Sequence, residues 1–167
     1  MGIGPRIGGV VLPWLALAVF LTLKFKGSFY YSEGGGRIFF FTGLALVLAG
    51  AIMYFLTVPA LLKGLKQTRL VTDGTYYLCR HPLYTSVLLL IIPGISLMMN
   101  SWLVVTTSIL GYTLFKIFIK SEYEEMKKFF GDDYERYMNQ TPEFIPFPMK
   151  KWFRSEYAGQ SDHITPE

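Results

Sequence analysis

Long uncharged runs alternate with short polar connectors along this chain. Residues 7–23 carry no charge and stop at Lys24 and Lys26. Residues 38–62 form a second uncharged run of 25 residues, whose end Pro59 is expected to bend. A polar connector follows from Lys63 to about Thr75, with Gly64 and Gly74 as breakers. From Leu83 to Phe115 there are then 33 residues without a charge. One helix needs roughly 20 residues to cross a hydrocarbon core of about 30 Å, so a run of that length is two arms. Asn100 and Ser101 supply the turn, and Trp102 an interfacial anchor. The pattern predicts about four transmembrane helices, at 7–26, 37–62, 83–99 and 101–119, the last two forming a tight hairpin.

Beyond residue 119 the period changes. Tyr123, Met126, Phe130, Tyr134, Tyr137 and Met138 recur at spacings near three and four, with charges between them. This is an amphipathic helix over 120–139, or two joined at Gly131, lying along the membrane surface on the cytosolic side. Pro142, Pro146 and Pro148 then preclude a regular helix. The fold class expected is an all-α polytopic membrane protein, one domain over 1–154 followed by a polar tail, 155–167.

Composition agrees with that reading. The chain is 51% hydrophobic and only 17% charged, whereas soluble domains carry about 25% charged residues. Its net charge of +4 lacks the basic stripe of a nucleic-acid binder. Cys79 is the only cysteine and His81 and His163 the only histidines, so neither a disulfide framework nor a metal cluster is expected. Lys63, Lys66, Arg69 and Arg80 lie between spans two and three, many more positives follow span four, and the hairpin tip has none. The positive-inside rule places the connector and the C-terminal region in the cytoplasm. Four spans put the N-terminus there too, with Lys24, Lys26 and Arg37 arguing mildly the other way.

The hairpin brings distant residues together. Arms of about 17–19 residues each rise roughly 26–28 Å, so the chain returns to the depth it left. Arg80 and His81 should therefore come back beside Lys120, Glu122 and Glu124. A basic pair facing carboxylates at a membrane mouth suits a zwitterionic ligand, whose carboxylate wants Arg and whose ammonium wants Glu. On geometry alone a plainer role is commoner: Arg80 and His81 as headgroup anchors, Pro82 as a first-turn proline, and Tyr76, Tyr77 and Tyr84 as an aromatic belt.

The order of motifs adds to this. Gly74 and Tyr76, then Arg80, His81, Pro82 and Tyr84, precede the hairpin; Glu122, Met126, Phe130, Gly131, Tyr134 and Tyr137 follow it, and Pro142, Phe144 and Pro146 close the pattern. Over roughly residues 70–146 this resembles the isoprenylcysteine carboxyl methyltransferase and phospholipid methyltransferase superfamily. The chain departs from the family's Glu-Glu pair, having Tyr123 as the second member, with Glu124 and Glu125 next.

The resemblance implies a membrane-embedded enzyme that binds S-adenosylmethionine on the cytosolic side and releases S-adenosylhomocysteine. Its acceptor would be lipid-like and enter from the bilayer: a prenylcysteine carboxylate, a phospholipid amine, or a smaller hydrophobic thiol or acid. Cofactor-binding residues would be Tyr76, Arg80, His81, Pro82, Tyr84, Glu122, Glu125 and Tyr134, with Arg80 and His81 catalytic and no metal. Arg80 would pair with a carboxylate of cofactor or acceptor. His81 would hydrogen-bond the cofactor, act as base for an amine acceptor, or orient the loop. Glu122 would hold the cofactor ammonium, with Glu125 as substitute. The altered Glu pair also keeps a non-enzymatic alternative open, a small membrane scaffold or lipid-binding protein retaining the fold. Small residues between Gly43 and Gly50 suit helix packing within or between chains, so they fix no oligomeric state.

Overall fold

The computed structural model describes residues 3–33, 36–67 and 69–144. Pro146, Pro148, the expected domain end at 154 and the tail 155–167 lie outside them. Four longer helices dominate: α1 (Gly4–Lys24), α2 (Gly36–Gln67), α4 (Pro82–Met98) and α5 (Trp102–Phe130). A single turn, α3 (Thr75–Leu78), precedes α4, and a short helix, α6 (Asp132–Gln140), follows α5. Helices α1, α2 and α5 are long and apolar enough to cross a bilayer, whereas α4 is a shorter apolar helix. The molecule is an all-α polytopic membrane protein, with no strand among the described residues beyond an isolated bridge between Tyr30 and Ser101.

The expected hairpin is present. Asn100 takes φ +51° at its tip, a left-handed conformation that asparagine tolerates better than most residues. The loop after α1 is laced to this tip: Trp102 N–H donates to Phe29 O at 3.0 Å, and Asn100 Nδ2 to Ser32 O at 2.7 Å. Thr22 and Ser101 share a buried hydroxyl hydrogen bond of 2.8 Å.

Two boundaries differ from the sequence reading. The second span does not close at 62; α2 runs on to Gln67, with Pro59 inside it. The fourth span and the first half of the amphipathic segment are one helix, unbroken from Trp102 to Phe130. Lys, Glu and Met around Lys120 are all strong helix formers, so nothing there stops the helix. The break falls instead at Gly131, with φ +55°. At 1.5 Å per residue α5 is about 44 Å long, and its last turns project beyond a core of about 30 Å.

Packing is uneven. Gly43 and Gly94 bring α2 and α4 into backbone contact; a Cβ on Gly94 would lie 2.7 Å from Gly43 O. Within α4, residues Thr85–Ile91 form a π-helical segment, where Ile92 N–H bonds Val87 O five residues back. Pro93 follows directly. It has no N–H to give and crowds the preceding turn, which the wider π turn accommodates. Helix α1 packs on α5, and their side chains meet with α4 in the core of Ile7, Val11, Leu88, Ile92, Val104 and Phe115. Helices α1 and α2, consecutive in sequence, do not pack on each other. The space between them becomes the wall of a cavity.

Candidate functional site

The end of the bundle opposite the hairpin tip is built by main-chain hydrogen bonds. Arg80 N–H donates to Pro142 O at 2.8 Å and His81 N–H to Glu143 O at 3.3 Å. The carbonyl of His81 in turn accepts from Thr85, at 2.9 Å from its N–H and 3.0 Å from its hydroxyl. Tyr137 donates its hydroxyl to Tyr76 O at 2.7 Å, tying α6 to α3. The segment 141–144 thus runs back along the Arg-His pair and fixes both residues at the mouth of α4.

They border a cavity of about 860 Å³. Its apolar lining includes Ile7, Gly8 and Val11 from α1 and Leu61 and Leu65 from α2. Tyr76, Arg80, His81, Pro82, Tyr84, Glu122, Glu125 and Tyr134 all border it too. The eight residues singled out from the sequence therefore meet in one space, to which Arg69 adds a further cation. Lys120 and Glu124, expected beside Arg80, do not border it. Pro82 is buried as the first-turn proline of α4, Tyr134 is buried, and Glu125 is exposed.

Arg80 places its guanidinium carbon 5.1 Å from the centre of the Tyr123 ring. Its Nε is buried without a hydrogen-bond partner among the described residues. Glu122 accepts from the N–H of Ile3, just before α1. His81 stacks edge-on against Phe115 at 4.9 Å, and its Nε2 lies 2.9 Å from the Tyr123 hydroxyl. Tyr123 donates to Glu143 Oε1 at 2.9 Å, and Lys116 pairs with the same carboxylate.

These contacts set the protonation states. Burial, aided by the Arg80 charge, pushes His81 down to about 4, so the ring is neutral near pH 7. Burial alone would raise Glu143, but its hydrogen bonds from Lys116 and Tyr123 outweigh that and hold it below the usual carboxylate range. Burial raises Tyr76 and Tyr134 to about 12, leaving both phenols neutral. One wall of the site is therefore a neutral imidazole with neutral phenols, set beside a fixed guanidinium.

Sequence reasoning missed the partners of His81. In the sequence Tyr123 stands out as a member of the amphipathic period and as a departure from a motif, and Glu143 does not stand out. No periodicity could have found Glu143, because it lies outside any helix. The available signal was an acid set between Pro142 and Phe144, in the segment that closes the motif. No group of His, Cys, Asp and Glu suited to a metal ion occurs among the described residues.

The profile of the phospholipid methyltransferase family matches residues 34–133. The chain is 35% identical over 96 residues to the nickel-cobalt-cadmium resistance protein NccN of Alcaligenes xylosoxydans xylosoxydans, covering 57% of this chain and 43% of that one. It is 34% identical over 84 residues to protein-S-isoprenylcysteine O-methyltransferase of Schizosaccharomyces pombe, covering 48% and 34%. Its identity to protein-S-isoprenylcysteine O-methyltransferase B of Arabidopsis thaliana is 29% over 79 residues, covering 47% and 40%. The chain thus spans less than half the length of each of these curated relatives. No solved structure matches it.

Proposed function

The chain belongs to the phospholipid methyltransferase family, and we propose that it transfers a methyl group from S-adenosylmethionine to a lipid-like acceptor, a prenylcysteine carboxylate or a phospholipid amine. One observation carries this reading: a single cavity joins a polar cluster at the bundle end to an apolar wall between α1 and α2, two helices that do not pack on each other. A polar, water-soluble methyl donor and a greasy acceptor need a space lined by both kinds of residue. The cytoplasm is the side that supplies the donor, in agreement with the orientation inferred from charge.

The residues present fit the donor. Arg80 borders the cavity with a guanidinium, a group that pairs well with a carboxylate. Glu122, across the same cavity, is placed for an ammonium, and the faces of Tyr76, Tyr84 and Tyr134 suit a purine or a sulfonium. When bound, S-adenosylmethionine supplies an electrophilic methyl on a sulfonium, and the acceptor's lone pair forms the new bond as sulfur keeps the pair of the broken one.

The protein's own work is alignment and exclusion of water. Helices α1, α2 and α4 wall the acceptor side with aliphatic carbon, which keeps water from the charged reactants. Arg80 holds a carboxylate at a fixed angle through its planar guanidinium. With a carboxylate acceptor no proton moves. With an amine acceptor one proton leaves nitrogen, and His81 is neutral and able to take it.

Titration of the detergent-purified protein with S-adenosylmethionine and S-adenosylhomocysteine tests this. Wild type should bind both, and Arg80→Ala and Glu122→Ala should each weaken binding at least about tenfold. Absence of binding to wild type would falsify the methyltransferase reading; unaltered binding in both variants would refute the site. Radiolabelled methyl transfer into lipid extract, against transfer into a farnesylated cysteine analogue, identifies the acceptor.

A further inference from the structure

His81 is the only ring nitrogen base in the cavity, yet the residues that hold it lie outside the cavity lining. Lys116, Tyr123 and Glu143 form a chain behind it, on α5 and on the returning segment. The hydrogen count of that chain is determinate. A carboxylate only accepts, and a phenol has one proton. Tyr123 directs its proton to Glu143 at 2.9 Å. The 2.9 Å contact between Tyr123 and His81 Nε2 can then be made in one way, with Nε2–H donating to the phenol oxygen.

We propose that Tyr123 and Glu143, with Lys116 clamping the carboxylate, are positioning residues that lock His81 as its Nε2–H tautomer, so that Nδ1 carries the one lone pair the ring can offer. Tyr123 stands where the resembled family has the second acid of its Glu-Glu pair. In this chain the acid is instead one hydrogen bond further back, at Glu143, and acts through the phenol. The same phenol ring lies under the Arg80 guanidinium, so one side chain orients both members of the Arg-His pair.

The tautomer can be read without any activity. Of the two histidines in the chain, His81 and His163, His163→Gln removes one, leaving a single imidazole in 15N-histidine-labelled protein. At pH 7.5 its spectrum should show a protonated, pyrrole-type Nε2 and a lone-pair, pyridine-type Nδ1. Glu143→Leu frees the phenol proton to turn towards the ring, and should move the proton to Nδ1. Glu143→Gln keeps a carbonyl acceptor for Tyr123, and should retain the wild-type pattern. A wild-type ring protonated at Nδ1, or a Glu143→Leu spectrum identical to wild type, would overturn the proposal.

The catalytic consequence rests on the methyl-transfer reading above. Glu143→Leu should lower kcat about tenfold, with S-adenosylhomocysteine affinity kept within about twofold. Wild-type kcat in that variant overturns the positioning role. If the wild type transfers no methyl at all, the functional reading falls, and the nitrogen spectra alone decide the tautomer lock.

Discussion

The Nε of Arg80 is shut away from solvent with no acceptor among the described residues, a state that costs about 1–3 kcal/mol. Its guanidinium is nonetheless held over an aromatic ring and its own N–H is bonded to Pro142. The guanidinium is thus committed to protein contacts while Arg80 borders the cavity. His81 makes a second residue-scale argument. Its pKa falls from 6.5 in the unfolded chain to about 4 in the fold, so the unfolded state binds more protons between those values. Its contribution to stability is complete above pH 6.5 and is lost as pH falls towards 4. The melting temperature of detergent-solubilised protein should drop over that window, and the difference between wild type and His81→Asn should shrink as pH is lowered; a pH-independent difference would contradict the buried neutral ring. Arg80 and His81 were legible in the sequence because ionisable residues at the mouth of an apolar run are rare. Tyr123 and Glu143 were not, because their partnership depends on where a short non-helical segment folds back, and side-chain periodicity carries no record of that.

At the scale of elements, glycines decide where helices touch and where they stop. Gly94 meets the Gly43 carbonyl so closely that any side chain must push α2 from α4. Gly94→Ala should cost about 1–3 kcal/mol, read as a lowered melting temperature. Gly131, at φ +55° and ψ −133°, ends α5 and turns the chain into α6, which carries Tyr134 to the cavity. Gly131→Ala should cost a similar amount, about 1–3 kcal/mol. It should also weaken S-adenosylhomocysteine binding, whereas Gly94→Ala acts at a contact remote from that turn. The hairpin and its turn at Asn100 were legible from run length alone. The unbroken course of α5 was not, because a change from apolar to amphipathic pattern marks where a helix leaves lipid, and the backbone continues through it.

At the scale of the molecule, the cavity owes its shape to a missing contact. Helix α2 is committed to α4 and helix α1 to α5, and both α1 and α2 contribute apolar lining to the cavity. Gly8 of α1 borders this space with nothing within 4 Å of the position a Cβ would take. Gly8→Trp should therefore fill the passage without disturbing the core. The expected result is a higher KM for a long-chain acceptor and unchanged S-adenosylhomocysteine affinity, measured side by side; equal loss of both would mean that donor and acceptor do not enter from different sides.

The pairing of α1 with α5 also fixes an order of events during synthesis. Trp14 and Thr106, hydrogen-bonded at 3.0 Å, are 92 residues apart in the chain. Helix α1 enters the bilayer long before α5, the helix it packs on, has been translated. The first span must wait for its main partner, while α2 and α4 are able to join as soon as both are made. The cavity comes into being last, when the returning α5 collects the helix that was inserted first.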